Sequence, residues 1–156
     1  MQAKQVVASI FIVKAARVIK RGGLIAYPTE AVWGIGCAIS DLNAVKKTLA
    51  LKRRPIHKGV IVVAANIKQV AHLLAPIAAE QLTKAEQTWP GPHTWLLPAR
   101  NNCQRLLRGR HHSIAIRISA HPLVQALCQK VGPIVSTSAN LAKRPPARTK
   151  LSCYRA

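Results

Sequence analysis

Lys52, Arg53 and Arg54, followed by Pro55 and then His57-Lys58-Gly59, set a compact ammonium beside planar guanidinium forks. Those are the two cationic shapes suited to a triphosphate. The same tract also suits a solvated helix end, where cations complement the helix dipole, and residue type alone leaves that choice open. A second polar cluster, Ser136-Thr137-Ser138-Ala139-Asn140, follows the apolar stretch Pro133-Ile134-Val135. Hydroxyls and an amide beyond a buried strand can hold phosphate or ribose oxygens; they can equally close an Asx or Ser/Thr turn. Thr29, just past Ile25-Ala26-Tyr27-Pro28, offers a hydroxyl for a small polar substrate, although Pro-Thr-Glu is also an ordinary helix start. Arg117, in the run Ser113 to Ile118, lies between Ile116 and Ile118. The two-residue period of a strand lets it face solvent or an anion.

These clusters need elements to place them. A first helix through Val6, Ile10, Val13 and Arg17 is expected to present an apolar face and to end at Gly22-Gly23. Leu24 to Tyr27 reads as a strand, and Gly34 and Gly36 suggest a backbone approached closely by a ligand or another strand. Asp41 caps a helix through Ala44, Val45, Leu49 and Leu51, which delivers the cations at its end, and Pro55 stops it. Gly59 to Ala64 is a β-branched run with the look of a strand buried on both faces. Asn66 is expected to start a helix through Val70, Leu73 and Leu74, and a further helix covers Ala78 to Thr88. A turn at Trp89-Pro90-Gly91-Pro92, a strand at Thr94 to Pro98, a strand at Ser113 to Ile118, a helix at Pro122 to Lys130 and a strand at Pro133 to Thr137 complete the reading. Helices and strands interleave, so the class is α/β with a mixed sheet. Open sheets of that class hold ligands at strand ends.

Composition narrows the chemistry further. Lys and Arg total 24 against four acids, Glu30, Asp41, Glu80 and Glu86, for a formal charge of +20. That field favours a polyanionic partner, RNA or DNA overall and nucleotide phosphate locally. Four scattered acids do not suit a glycosidase, which needs two flanking carboxylates, or a two-metal nuclease. Cys37, Cys103, Cys128 and Cys153 form no C-x-x-C pair, so zinc is not indicated. Without a secretory signal they read as reduced thiols of a cytoplasmic protein. The apolar run Val6 to Val13 is too short to span a bilayer. The basic, acid-free first twenty residues leave a mitochondrial presequence open, and helix periodicity explains them as well. None of the clusters is a Walker A loop, a G-x-G-x-x-G fingerprint or a nucleophile elbow.

In their order along the chain, the clusters resemble the YrdC-like family of threonylcarbamoyl-AMP synthases of the bacterial TsaC type. The matching stretches are Ile25 to Val32 with Gly34-x-Gly36, Leu51-Lys52-x-Arg54-Pro55 with Lys58-Gly59, Trp89-Pro90-Gly91-Pro92-x-Thr94, Ala115-x-Arg117, His121-Pro122-Leu123, and Ser136 to Leu141. They span about residues 22–149 of a single domain taken as 1–156. The resemblance implies a twisted mixed β-sheet with flanking helices around a basic concave cavity. It implies that L-threonine, bicarbonate and ATP, the last as substrate with Mg2+, yield threonylcarbamoyl-AMP and pyrophosphate. It also implies partners, a t6A transferase machinery and tRNA or other RNA met through the basic surface, and no membrane. Carried over by position, Lys52, Arg54, Ser138 and Asn140 are the catalytic, ATP-binding tetrad, with Ser113 touching the nucleotide. Thr29, Arg117, Ser136, His57 and Lys58 are implied to bind threonine, Arg117 through the carboxylate. No metal-ligating residue is implied.

Two departures stand out. The family reads Asn-Leu-Ser-Gly where this chain has Asn140-Leu141-Ala142-Lys143, and loss of that glycine is expected to tighten or redirect the loop. Short bacterial members also continue for a few tens of residues past Leu151 to Arg155, so the chain is expected to be C-terminally shortened. The competing function, on charge, is a non-catalytic RNA-binding protein for tRNA, double-stranded RNA or ribosome precursors.

Overall fold

The computed structural model describes residues 2–140 and 145–154. Six strands form one sheet, β1 (Ile25–Pro28), β2 (Trp33–Gly36), β3 (Ile61–Ala64), β4 (Trp95–Pro98), β5 (Ser113–Ile118) and β6 (Ile134–Ser138). Their order is β1-β2-β6-β3-β5-β4. Only β3 and β5 run parallel among the paired strands, so the sheet is mixed, as expected from sequence. The helices are α1 (Gln2–Lys20), α2 (Leu42–Leu51), α3 (Ala79–Glu86), α4 (Arg105–Arg108), α5 (Pro122–Val131) and α6 (Lys150–Tyr154). No described helix is long and apolar enough to cross a membrane.

The sheet divides the core in two. On one face Val62, Leu97, Ile114, Ile116, Ile118 and Val135 pack with Val45 and Leu49 of α2 and Leu107 of α4. On the other, Tyr27, Val63 and Ile134 pack with Ala15, Ala16 and Ile19 of α1 and Val124, Leu127 and Cys128 of α5. Val62, Val63 and Ala64 are fully buried, so β3 is covered on both sides, as its β-branched run requires.

Register then decides which polar residues share a face. Partners across adjacent strands point the same way. Ser136 pairs with Ile61 and Ile61 with Ala115; Ile134 pairs with Val63 and Val63 with Arg117. Ser138 pairs with Gly34, and Gly34 with Tyr27. Ser113, Arg117, Ser136, Ser138 and Tyr27 therefore lie on one side of the sheet. Helices α1 and α5 cover that side at the Val63–Ile134 end. Toward Ser113 and Ser138 it lines cavities instead.

Three expectations are corrected. Helix α1 buries Ala15, Ala16 and Ile19, while Ile10 and Val13 are exposed. The expected stripe includes Arg17 and lies on the same side as the exposed Lys14 and Lys20, while the small Ala15 and Ala16 with Ile19 form the face that packs. The expected helix after Asn66 is instead two single 3-10 turns, Ile67–Gln69 and Ala71–Leu73. Asn66 caps the first through its side chain, which accepts from the Gln69 N–H at 3.2 Å. Further helix is blocked because the backbone of residues 73–75 is engaged from the β4 side. Arg100 N–H donates to Leu73 O at 2.9 Å and Ala75 N–H to Pro98 O at 3.0 Å. The short helices α4 and α6 carry no periodic signal at four and five residues and were not expected. Leu141-Ala142-Lys143, where the lost glycine was noted, lies outside the described residues.

Candidate active site

Helix α2 is built to deliver cations. The Asp41 carboxylate accepts from the N–H groups of Asn43 and Ala44 at 3.0 and 2.9 Å, fixing the N-terminus. Ala44, Val45, Thr48 and Leu49 bury one face. At the far end Arg53 N–H bonds Ala50 O and Arg54 N–H bonds Leu49 O, each at 2.9 Å. This is the overlapping pair of a Schellman reversal. Its left-handed position, normally glycine, is Arg53 at φ 48°. The reversal turns Lys52 inward, leaving it only 6% exposed.

The Lys52 ammonium reaches the turn that follows β6. It donates to Ser138 O at 2.6 Å, to Asn140 Oδ1 at 2.7 Å and to the Asn140 carbonyl. Ser138 Oγ donates to the same Asn140 Oδ1 at 2.6 Å. The turn is tied from behind, with Ala139 N–H donating to Trp33 O at 2.7 Å and Ala147 N–H to Ala139 O at 3.1 Å. Burial, and then the charge of Arg54, hold the Lys52 pKa below the ordinary lysine value. Arg54 Nε donates to Gly59 O at 2.7 Å, which fixes its guanidinium beside the 3-10 turn Ile56–Lys58. Lys52, Arg53, Arg54, Lys58, Ser138 and Asn140 line a cavity of about 400 Å³ that has four cations and no carboxylate on its wall. Such a wall stabilises anionic oxygen, beside a hydroxyl and an amide that are bonded to one another.

A second polar group lies on the same side of the sheet, where β1 and β5 end. Arg117 has its Nε shielded from solvent with no hydrogen-bond partner, as do Glu30 Oε2 and His121 Nδ1, while the buried Tyr27 hydroxyl interacts with Ser136. The other Glu30 oxygen accepts from Ser119 Oγ at 2.6 Å and from the Ala120 N–H at 2.9 Å. Burial pushes the Glu30 carboxyl upward. The Ser119 hydrogen bond, further backbone bonds and the Arg117 charge outweigh it, so the net pKa lies below the ordinary range. Burial raises the Tyr27 phenol well above its usual value, and it remains protonated. Ser136 is 5% exposed on the same side. Thr29 Oγ1 donates to Val32 O at 2.6 Å and so closes the turn between β1 and β2.

The expected site residues therefore fall into two groups and an outlier. Lys52, Arg54, Lys58, Ser138 and Asn140 come together around one cavity. Ser113 stands in an adjoining cavity of about 140 Å³ that Lys58 also lines, beside Arg108 and His111. Arg117 and Ser136 belong with Tyr27 and Glu30. His57 is exposed on its 3-10 turn, and its carbonyl accepts from the Arg110 N–H at 3.1 Å. Its side chain lines neither of the two cavities that Lys58 shares. Residue patterns missed Ser119 and gave Glu30 no role in the site. Glu30 was visible as one of only four acids, but its partners lie 89 and 90 positions away. Among the described residues no three His, Cys, Asp or Glu side chains converge on a metal-sized site.

Comparison with known proteins points to one lineage. Residues 17–156 match the Sua5/YciO/YrdC family model, described as "Telomere recombination". A protein of Pseudomonas aeruginosa (strain UCBPP-PA14) named threonylcarbamoyl-AMP synthase is 54% identical over 137 residues, 88% of this chain and 74% of the relative. One of the same name from Nitrosococcus oceani is 50% identical over 142 residues, covering 90% and 77%. The crystal structure of P. abyssi Sua5 complexed with L-threonine superposes with a TM-score of 0.86 at 33% identity, over 92% of this chain. The chain spans 43% of that archaeal protein. E. coli YciO shares the fold, with a TM-score of 0.79 at 23% identity. A matching sheet, a cationic cavity where the motif residues meet, and a family model covering most of the chain agree: this protein belongs to the Sua5/YciO/YrdC family.

Proposed function

We propose that the chain is a threonylcarbamoyl-AMP synthase. In this reading it converts L-threonine, bicarbonate and MgATP into threonylcarbamoyl-AMP, pyrophosphate and water for the t6A modification of tRNA. The observation that carries it is the cavity of about 400 Å³ whose cations, hydroxyl and amide come from the positions matching the family tetrad. Relatives at 50–54% identity that bear the enzyme's name support it. Residues 1–156 are taken as one YrdC-like domain working in the cytoplasm.

The chemistry suits these side chains. The threonine amine is carboxylated; the new carboxylate then attacks the α-phosphorus and pyrophosphate leaves. Charge accumulates on phosphate oxygens, where fixed cations lower the barrier most. Arg54, Lys58 and Arg53 face the triphosphate. Lys52 holds the Ser138–Asn140 turn and adds its charge from behind. Ser138 and Asn140 orient phosphate oxygens, and Ser113 lies toward the nucleoside. Mg2+ rides on the triphosphate and water. Arg117 takes the threonine carboxylate, with Thr29 and Ser136 beside the amino acid and His57 at the rim. The product passes to a t6A transferase, and the +20 charge suits tRNA at the surface.

Purified protein is incubated with threonine, bicarbonate, Mg2+ and ATP, and threonine-dependent pyrophosphate is measured. Product is expected, and Arg54→Ala is expected to lower turnover at least about a hundredfold, the scale of losing a transition-state donor. No product where a full-length relative works would defeat the enzyme reading. Salt-sensitive RNA binding in that case would favour the second reading, a non-catalytic RNA-binding protein, which the excess of cations supports.

A further inference from the structure

Glu30 is an unusual residue in this chain. It is one of four acids among 24 cations, and it is half-buried just past the end of β1. One oxygen ties the end of β1 to the end of β5, accepting from Ser119 Oγ at 2.6 Å and the Ala120 N–H at 2.9 Å. Ser119 is fully buried and in turn accepts from the His121 N–H at 3.1 Å, so the same link reaches the start of α5. The second oxygen is sealed from solvent and has no partner. Arg117, two residues before Ser119, has its Nε in the same condition. Buried polar atoms are almost always paired. An acceptor and a guanidinium donor both without partners in one small region mark a place whose partners arrive with a ligand. A carboxylate sealed near a guanidinium also biases how that guanidinium sits, because the interaction is weakly screened there.

We propose that Glu30 is a positioning residue of the amino-acid subsite. It locks the Ser119–Ala120 corner with one oxygen, and with the charge of the other it holds the Arg117 guanidinium in the orientation that receives the substrate carboxylate. The proposal rests on the reading of Arg117 as the threonine-carboxylate ligand. It adds a residue that no motif assigns, and explains why an acid survives in so basic a chain. It also separates the site by function: Glu30 serves the amino acid, while the Lys52–Arg54 cavity serves the phosphates and lies outside its reach.

The test is calorimetric binding of L-threonine and of ATP, separately, to the full chain and to Glu30→Gln, Arg117→Ala and the double variant. Gln keeps an oxygen for Ser119 and Ala120 and removes the charge. Glu30→Gln is expected to raise the threonine Kd about tenfold and to leave the ATP Kd within about twofold, the loss of one charged contact. In the Arg117→Ala background it is expected to add nothing, because residues acting as a unit are not additive. Ser119→Ala keeps the charge and loosens the corner; it is expected to weaken threonine by about threefold, and serves if Glu30→Gln does not fold. An unchanged threonine Kd in both Glu30→Gln and Ser119→Ala, equal losses for threonine and ATP, or full additivity with Arg117→Ala would each overturn the proposal while leaving the Arg117 reading intact. If Arg117→Ala itself leaves threonine binding unchanged, the Arg117 reading fails and the positioning role goes with it.

Discussion

Lys52 illustrates how a residue legible as a ligand can first be a piece of structure. Its position after α2 and its charge were readable, and the tetrad it forms with Arg54, Ser138 and Asn140 is assembled around one cavity. What the sequence did not reveal is that its three N–H donors already meet Ser138 O, Asn140 O and Asn140 Oδ1. Those partners lie 86 and 88 positions away, beyond any local pattern. Removing the ammonium takes three charge-assisted bonds from this part-buried turn, each stronger than a neutral one. Lys52→Met is therefore expected to lower the unfolding free energy by about 2 kcal/mol, measured by urea titration. Arg54→Ala gives up one bond, to Gly59 O, and is expected to cost about 1 kcal/mol or less. Equal losses for the two variants would refute this division of labour.

At the scale of elements, signals confined to neighbouring residues were readable and long-range ones were not. The Asp41 cap, the alternation of β5 and the buried run of β3 all appear where side-chain chemistry and period place them. The helix expected after Asn66 did not form, because strand-like bonds from residues 98–100 take that backbone. The buried face of α1 was misjudged because the larger apolar residues Ile10 and Val13 lie on the side of Lys14, Arg17 and Lys20. The end of α2 combines both lessons. The stop was foreseeable from Pro55, but not that it would be a Schellman reversal with its left-handed position held by Arg53 at φ 48°. A non-glycine residue there is strained by about 1 kcal/mol. Arg53→Gly is expected to raise the melting temperature by a few degrees while weakening ATP, since Arg53 lines the cationic cavity. Differential scanning calorimetry and nucleotide titration on the same sample check both halves; a drop in melting temperature would contradict the strain argument.

At the scale of the whole molecule, charge dominates. With a net +20, the described residues contain a single ion pair, Lys84 with Glu80 at 2.6 Å, and it is exposed. Such a pair contributes little, so self-repulsion goes largely unopposed and the compact state is the form that suffers. Raising sodium chloride from about 20 to 300 mM, which shortens the screening length from roughly 20 to 6 Å, is expected to raise the melting temperature. A flat or falling curve would show that the cations are already neutralised within the fold. The order of strands carries a further consequence, one of timing. β6, the last of the described strands, lies in the middle of the sheet, between β2 and β3. Until residues 134–138 leave the ribosome, the β1–β2 hairpin and the β3–β5–β4 unit have nothing to join them. Chains emerge N-terminus first, and pairings this distant are slow to close. The sheet and the Ser138–Asn140 wall of the cavity must therefore be completed together, after residues 134–138 have emerged, so that a nascent chain has a functional site only once its sheet is whole.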